Sequence, residues 1–245
     1  MTQYDKIAGP YDRMNEERPD RGRILTPSAK HYLGDIRGLN VLELACGSGY
    51  FSRRLKAWGA ASVLGIDISR EMIELALRKD EDDPAGIQYR VADVASLGKL
   101  GTFDLAFAGF LLHYAPTKEA LARMCAHIAS NLKPGARFVA LNENPAHPLH
   151  RGVKYEVEIA ALGPIADGSV VQLSHCRDGV RAFSFSHHHY EPATYRAALE
   201  AAGFSKIEWK PFIKGAGADE GFAPGYWDEF TSGDFSIAVL ICEKS

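Results

Sequence analysis

No stretch of the 245-residue chain approaches the ~18 uncharged apolar residues that a membrane span requires. The longest candidates, Leu105–Leu112 and Phe235–Cys242, have eight residues each and read as buried strands and their exits. Cysteine is scarce: Cys46, Cys125, Cys176 and Cys242 show no CxxC spacing, so neither a zinc site nor a disulfide framework is expected. Charge of one sign is lacking too. With 28 basic against 31 acidic residues the net charge is −3, without the basic footprint that duplex binding needs. Repeats and low-complexity linkers are absent, and Met1-Thr2-Gln3-Tyr4-Asp5 has neither the basic nor the apolar part of a secretory leader. A reduced, cytoplasmic protein with a small-molecule partner, no nucleic acid and no membrane is expected; the oligomeric state is not legible. What is present is ordinary for a soluble globular chain: 46% hydrophobic and 24% charged residues. The 12 Phe, 10 Tyr and 3 Trp suffice for a core and a pocket.

From residue 38 short apolar runs alternate with helical periodicity. Val41–Ala45 reads as a strand closed by Gly47-Ser48-Gly49, and Phe51, Leu55 and Trp58 mark a helix stopped at Gly59. Ser62–Asp67 is a second strand, after which Ser69 is a good N-cap for a helix carrying Met72, Ile73, Leu75 and Ala76. Strands at Ile87–Val91 and Phe103–Ala108 precede a helix capped by Thr117 and ended by Lys133-Pro134-Gly135. Ala136–Leu141 is the fifth strand. Such alternation predicts a parallel sheet covered on both faces, a doubly wound α/β fold. Ligands of such sheets bind beyond the carboxyl ends of the strands.

The pattern breaks at 145–190, where no helix is expected. Strands at Val170–His175 and Val180–Phe185 are joined through Arg177-Asp178-Gly179. Pro192 then opens a helix closed by Gly203, followed by strands at Ser205–Trp209 and Phe235–Cys242. The expectation is one domain: a helical lead (1–36), a sheet core (37–144 and 191–245) and an insertion (145–190). The lead and insertion have no obvious fold of their own and read as lid and substrate pocket.

The glycine loop lies where the first strand turns into the first helix, a place where the backbone approaches a ligand closely and helix N–H groups are free. Glu43 precedes it, Asp67 ends the second strand and Asp93 follows the third. A carboxylate ending the second strand can accept two ribose hydroxyl bonds. Standing alone, Asp67 would read as a capping acid; together the three favour a nucleotide.

These residues resemble the class I S-adenosylmethionine-dependent methyltransferases. Glu43–Gly49 resembles that family's first motif, Ile66–Ser69 its second and Ala92-Asp93-Val94 its third. The resemblance implies a seven-stranded sheet with an antiparallel last strand, and S-adenosylmethionine as cofactor with S-adenosylhomocysteine as product. It also implies that Glu43 faces the methionine part while Ala45 and the Gly47–Gly49 backbone pass close by. Asp67 would bind the ribose, with Ile68 and Met72 beside the adenine. Asp93 would reach the adenine amino group, flanked by Ala92 and Val94. Tyr4–Ala8, Phe110–Ala115, Ala201–Phe204 and Pro224–Asp228 resemble the toxoflavin-biosynthesis methyltransferases, which N-methylate a bicyclic azapteridine.

Methyl transfer from a sulfonium needs alignment, exclusion of water and sometimes a base. His113, directly after the fourth strand, is the candidate base, and Tyr114 its neighbour; the bland alternatives are a loop-orienting histidine and a core tyrosine. Phe110 joins the cofactor set. Asn142, Glu143 and Asn144, leaving the fifth strand, suit polar recognition of substrate or plain loop solvation equally. Tyr4 and Tyr11, two turns apart, share a face if the lead is helical; the resemblance implies that such tyrosines close over cofactor and substrate, Tyr11 foremost, the alternative being packing of the lead against the core. Phe222, Tyr226 and Trp227 in their Gly/Pro-rich loop can form a flat-ring substrate wall or simply pin the loop, and the resemblance to the toxoflavin-biosynthesis group favours the wall. Of His187-His188-His189, only His187 and His189 converge on an extended segment, and no set of four ligands completes a metal site. His189 is thus a minor substrate candidate and no metal is expected. His147 and His150 read as surface. A nicotinamide dehydrogenase is the rival reading, but Ser52 stands where its fingerprint wants a third glycine, and Glu43 and Asp93 would lack a role. A macromolecular methyltransferase is disfavoured because the fourth strand ends in Ala108-Gly109-Phe110-Leu111 rather than an Asn/Asp-Pro-Pro-aromatic run and the basic patch is missing; a cofactor-binding domain without catalysis is a further alternative.

Overall fold

A computed structural model describes residues 4–82, 85–147, 153–161, 163–177 and 179–245. The chain starts with α1 (Ala8–Glu17), a π-helical turn at Arg21–Leu25 and α2 (Thr26–Leu33). β1 (Asn40–Leu44), α3 (Tyr50–Ala57), β2 (Ser62–Asp67), α4 (Arg70–Asp82), β3 (Gln88–Val91), β4 (Phe103–Gly109), α5 (Lys118–Ser130) and β5 (Leu132–Glu143) follow. The caps expected from the sequence form: Ser69 Oγ accepts from Met72 N, and Thr117 Oγ1 from Ala120 N. After the insertion come α6 (Pro192–Ala201) and β10 (Phe204–Lys210), then α7 (Asp228–Ser232) and β11 (Ile237–Lys244). In the insertion lie β6 (Val153–Lys154), β7 (Val157–Ala161), β8 (Val170–Arg177) and β9 (Val180–His188).

The main sheet has the order β10-β11-β5-β4-β1-β2-β3, with β11 antiparallel to both neighbours and β1–β5 parallel. Apolar residues cover both faces. Leu42, Ala106, Phe138 and Leu240 pack under α5 and α6, whereas Val41, Leu105, Val139 and Val239 pack under α2 and α3. This is the doubly wound α/β sheet predicted from the alternation, with the seven strands and antiparallel last strand that the resemblance implies.

Two local expectations change. α5 stops at Ser130 rather than at Lys133-Pro134-Gly135, and those three exposed residues belong to the start of β5. The β4–β5 register slips between the pairs Phe103↔Leu132 and Leu105↔Arg137, so the proline and glycine fall in an irregularity. The strand also runs two residues further than predicted, which places Asn142 and Glu143 at its end rather than in a loop.

The insertion has a fold of its own, an antiparallel sheet of order β6-β7-β8-β9. β6 and β7 escape prediction because Tyr155 and Glu156, which join them, take φ of 53° and 62° without the Gly or Asn that normally announces such a turn. The connection predicted at Arg177-Asp178-Gly179 contains Asp178, and Asp178 and His150 lie outside the described residues. No described helix is long and apolar enough to cross a membrane.

Candidate active site

A cavity of about 960 Å3 opens at the carboxyl ends of β1–β4, between the sheet, the N-terminal lead and the inner face of the insertion. At its floor the loop after β1 is braced by Asp67: Oδ2 accepts from Gly47 N at 2.8 Å and Oδ1 from Ser69 N at 2.8 Å. Ala45 and Phe110, both lining residues, hold left-handed φ of 53° and 68° at the exits of β1 and β4. That conformation costs a residue with a side chain, and such strain collects at functional sites. A Cβ on Gly47 would meet nothing within 4 Å, so this backbone lies open to the cavity. Gly49 differs. At φ 78° its Cβ would sit 2.3 Å from Tyr89 Oη, so glycine is needed there for packing; Gly49 does not line the cavity.

The lead is tied onto this floor. Ser48 Oγ donates to buried Asp12, Lys79 Nζ reaches the same carboxylate at 2.6 Å, and Ser69 Oγ donates to Asp5 at 2.7 Å. Tyr4 precedes α1 rather than riding on it, yet its ring lies 5.3 Å from Tyr11 and its hydroxyl 2.6 Å from that of Tyr114. Tyr4 also stacks on Phe185 of β9 at 4.7 Å, and Tyr11 meets Phe185 edge-on at 5.2 Å. His175 of β8 completes this wall, 5.9 Å from both Tyr11 and Phe185.

Next to Tyr114, at 4.6 Å between ring centres, His113 lies in the turn after β4, 95% buried. Its Nδ1 is 3.0 Å from Asn142 Oδ1, an oxygen that also accepts from Leu112 N. An amide oxygen has no proton to give, so the 3.0 Å contact favours the hydrogen on Nδ1 and the lone pair on Nε2 over the longer 3.5 Å approach of Glu143 N to the same atom. Burial depresses the His113 pKa to about 4, so the ring is neutral.

Comparison with known proteins agrees with this geometry. Residues 41–135 match the family model described as a methyltransferase domain. A ubiquinone biosynthesis O-methyltransferase of Neisseria meningitidis is 33% identical over 122 residues, 47% of this chain and 50% of that protein. Its counterpart in Xanthomonas oryzae is 32% identical over 155 residues, 60% and 63% of the two chains. The chain thus spans less than two thirds of the length of these relatives. A crystal structure of an S-adenosylmethionine-dependent methyltransferase from Mesorhizobium loti superposes with a TM-score of 0.63 at 26% identity, over 89% of this chain and 96% of that one. Residues 41–135 are thus similar to a methyltransferase domain, and the fold is similar to that of an S-adenosylmethionine-dependent methyltransferase.

The residues present fit that domain's cofactor. Glu43 is 1% exposed and lines the cavity with Ser52 Oγ as its hydrogen-bond donor; burial raises its pKa to about 8. A buried acid of this kind is stabilised by an ammonium group such as the cofactor's methionyl part brings. Asp67 retains acceptor capacity beyond its backbone donors Gly47, Ile68 and Ser69, as ribose hydroxyls require. Ile68 lies beside it, 51% exposed yet lining the cavity, an apolar face for a purine. Met72, Ala92, Asp93 and Val94 line the same end. Asp93 Oδ1 caps the following turn through Ala95 N. Of the residues expected at the cofactor, only Gly49 stays outside the cavity.

The expected substrate residues fare differently. Asn142, Glu143, His189, Tyr226 and Trp227 do not line the cavity. Trp227 is 1% exposed and stacks on Tyr155 at 5.5 Å, with Nε1 donating to Ala218 O. Tyr226 packs edge-on against Tyr155 and Phe222 is pinned on Trp227, so this loop closes the core instead of forming a ligand wall. Aromatic residues near glycine and proline do not distinguish the two outcomes. The wall that lines the cavity comes from Tyr4, Tyr11, His175 and Phe185, of which the last two were missed. Their signal was alternation, for Leu173, His175 and Phe185 share one face of the small sheet through the pair Leu173↔Phe185. Arg18 was missed as well: paired with Asp20 at 2.5 Å, it donates to His175 Nδ1 at 3.2 Å.

Glu143 and His189 meet beneath the cavity: His189 Nδ1 lies 3.2 Å from Glu143 Oε1 and His187 Nε2 lies 4.0 Å from Oε2. The two histidines thus converge as alternation predicts, but on a carboxylate. Among the described residues no group of three or more His, Cys, Asp or Glu is placed to hold a metal. Burial lifts the Glu143 pKa to about 7 and pushes that of His187 down to about 2. An acid whose folded pKa is raised binds its proton more tightly when native. The advantage is complete below the unfolded value near 4.5 and is lost as pH climbs through 7. Glu143→Gln should therefore gain stability relative to wild type between pH 4.5 and 7, by roughly 2–3 kcal/mol at pH 8 compared with pH 4. Urea melts at a series of pH values measure this; a pH-independent difference would mean that Glu143 is ionised throughout.

Proposed function

We propose that the protein transfers the methyl group of S-adenosylmethionine to an oxygen or nitrogen of a flat aromatic or heterocyclic small molecule. The observation that carries this reading is the aromatic wall of Tyr4, Tyr11, Phe185 and His175 facing the same cavity as the neutral His113. The cofactor, when bound, supplies an electrophilic methyl on a sulfonium. Glu43, Gly47, Asp67, Ile68, Met72 and Asp93 hold it, and the wall stacks the acceptor ring. His113 Nε2 takes the acceptor's proton, and Tyr114, bonded to Tyr4, fixes the adjoining edge. A neutral imidazole at this place adds no repulsion to a sulfonium's positive charge. The lead (1–36) and the insertion (145–190) act as lid and pocket, excluding water that would compete for alignment.

The relatives favour a hydroxylated ring. Two are ubiquinone biosynthesis O-methyltransferases, and a demethylmenaquinone methyltransferase of Lactococcus lactis is 27% identical over 87% of this chain. The likeness to the toxoflavin-biosynthesis group keeps a bicyclic azapteridine, and secondary metabolism, within the same acceptor class. The test is methyl-labelled cofactor offered with catechols, hydroxyquinones, N-heterocycles and aliphatic amines. Label is expected on a flat-ring acceptor; label on aliphatic amines alone would overturn the assignment.

A further inference from the structure

Beside the cavity, the turn at Arg21–Leu25 and the first residues of α3 enclose a separate recess of about 530 Å3 with five arginines, Arg18, Arg21, Arg23, Arg53 and Arg54, around Tyr50. The Arg21 guanidinium lies 3.7 Å and that of Arg54 3.4 Å from the centre of the Tyr50 ring. Two of the five charges are already used. Arg18 pairs with Asp20, and Arg23 Nη1 donates to the Gly217 and Ala218 carbonyls. The rim acids are engaged elsewhere, Glu16 with Lys79 and Glu17 with Arg177. Arg53 donates to the Ser48 carbonyl, and Arg54 donates to the Tyr50 carbonyl and also interacts with the Tyr50 side chain. Among the described residues, Arg21, Arg53 and Arg54 have no carboxylate within ion-pair distance.

We propose that this recess is an oxyanion site, built for a phosphate or carboxylate group. Stacking on Tyr50 holds two guanidiniums in place, so little side-chain freedom is lost when an anion arrives. Burial, with Arg18 beside Arg21 and Arg53 beside Arg54, lowers the pKa of both Arg21 and Arg54, a cost that an oxyanion between them relieves. Guanidinium forks match two oxygens of such a group. Arg18 and Arg21 also line the methyl-transfer cavity, so the recess adjoins it. The anion therefore has two sources: an arm of the acceptor, or a free phosphate compound.

Inorganic pyrophosphate is the probe, titrated calorimetrically at low salt into protein saturated with S-adenosylhomocysteine, so that the cofactor end is filled. Binding is expected to weaken by roughly tenfold or more in Arg53→Gln and in Arg54→Gln, and to be unchanged in Lys206→Gln on the far sheet edge. Thermal melts of the variants identify any that misfold. Absence of binding, or equal affinity in the folded Arg53→Gln and Arg54→Gln proteins, overturns the site. This readout needs no turnover, so it fails independently of the methyl-transfer reading. In turnover assays an acceptor arm predicts that pyrophosphate raises the acceptor KM; a free ligand leaves KM unchanged.

Discussion

Replacing His113 with alanine is expected to lower turnover by about 100-fold or more, with the affinity for S-adenosylhomocysteine changing by less than about twofold. His113 is held from below by Asn142, whose Oδ1 bonds both the ring and Leu112 N. Asn142 Nδ2 donates to Tyr195 Oη at 3.2 Å and to Glu143 O at 3.1 Å, which fixes the orientation of the amide. Asn142→Asp keeps an acceptor on Nδ1 but adds a negative charge. The groups around the ring are Tyr114 at 4.6 Å, His187 at 5.0 Å and Glu143, and His187 is neutral. A new carboxylate favours the imidazolium, so the His113 pKa should rise from about 4 and the acid limb of the pH–rate profile should move up by about 1–2 units. An unmoved limb in an active Asn142→Asp protein would remove His113 from proton transfer. Equal losses of turnover and cofactor affinity in His113→Ala would make the residue structural.

Asp67→Ala is expected to weaken S-adenosylmethionine binding by roughly 1–3 kcal/mol, about 5- to 150-fold. The change removes the ribose acceptor and also the brace on Gly47 N and Ser69 N. Asp67→Asn separates the two roles, since the amide keeps one oxygen for a backbone donor but loses the charge. Calorimetry on both variants checks this, and unchanged affinity in Asp67→Ala would take the residue out of the site.

The proposed cofactor half of the cavity was legible in the sequence because it is local. A strand, a glycine turn and a helix put Glu43, Gly47 and Asp67 at one sheet edge whatever the rest of the chain does. Asp93 follows by the same reasoning after β3. The proposed acceptor half is assembled from a distance, from residues before α1 and on two strands of a small sheet whose first turn uses Tyr155 and Glu156 with positive φ. Nothing in the spacing of Tyr4 and Phe185 announces their 4.7 Å contact. The Phe222–Trp227 loop misled because burial, which composition does not report, decides between core and wall. Asn142 and Glu143 were placed one layer too high, since β5 extends to include them; they support His113 and the insertion from beneath.

The central claim is that Glu43, Gly47, Asp67 and Asp93 form an S-adenosylmethionine site on this sheet. Titration of the wild-type protein with S-adenosylhomocysteine and, separately, with a nicotinamide dinucleotide tests it most directly. One molecule of S-adenosylhomocysteine is expected to bind per chain with micromolar affinity while the dinucleotide gives no heat; binding of the dinucleotide with no binding of S-adenosylhomocysteine would contradict the account.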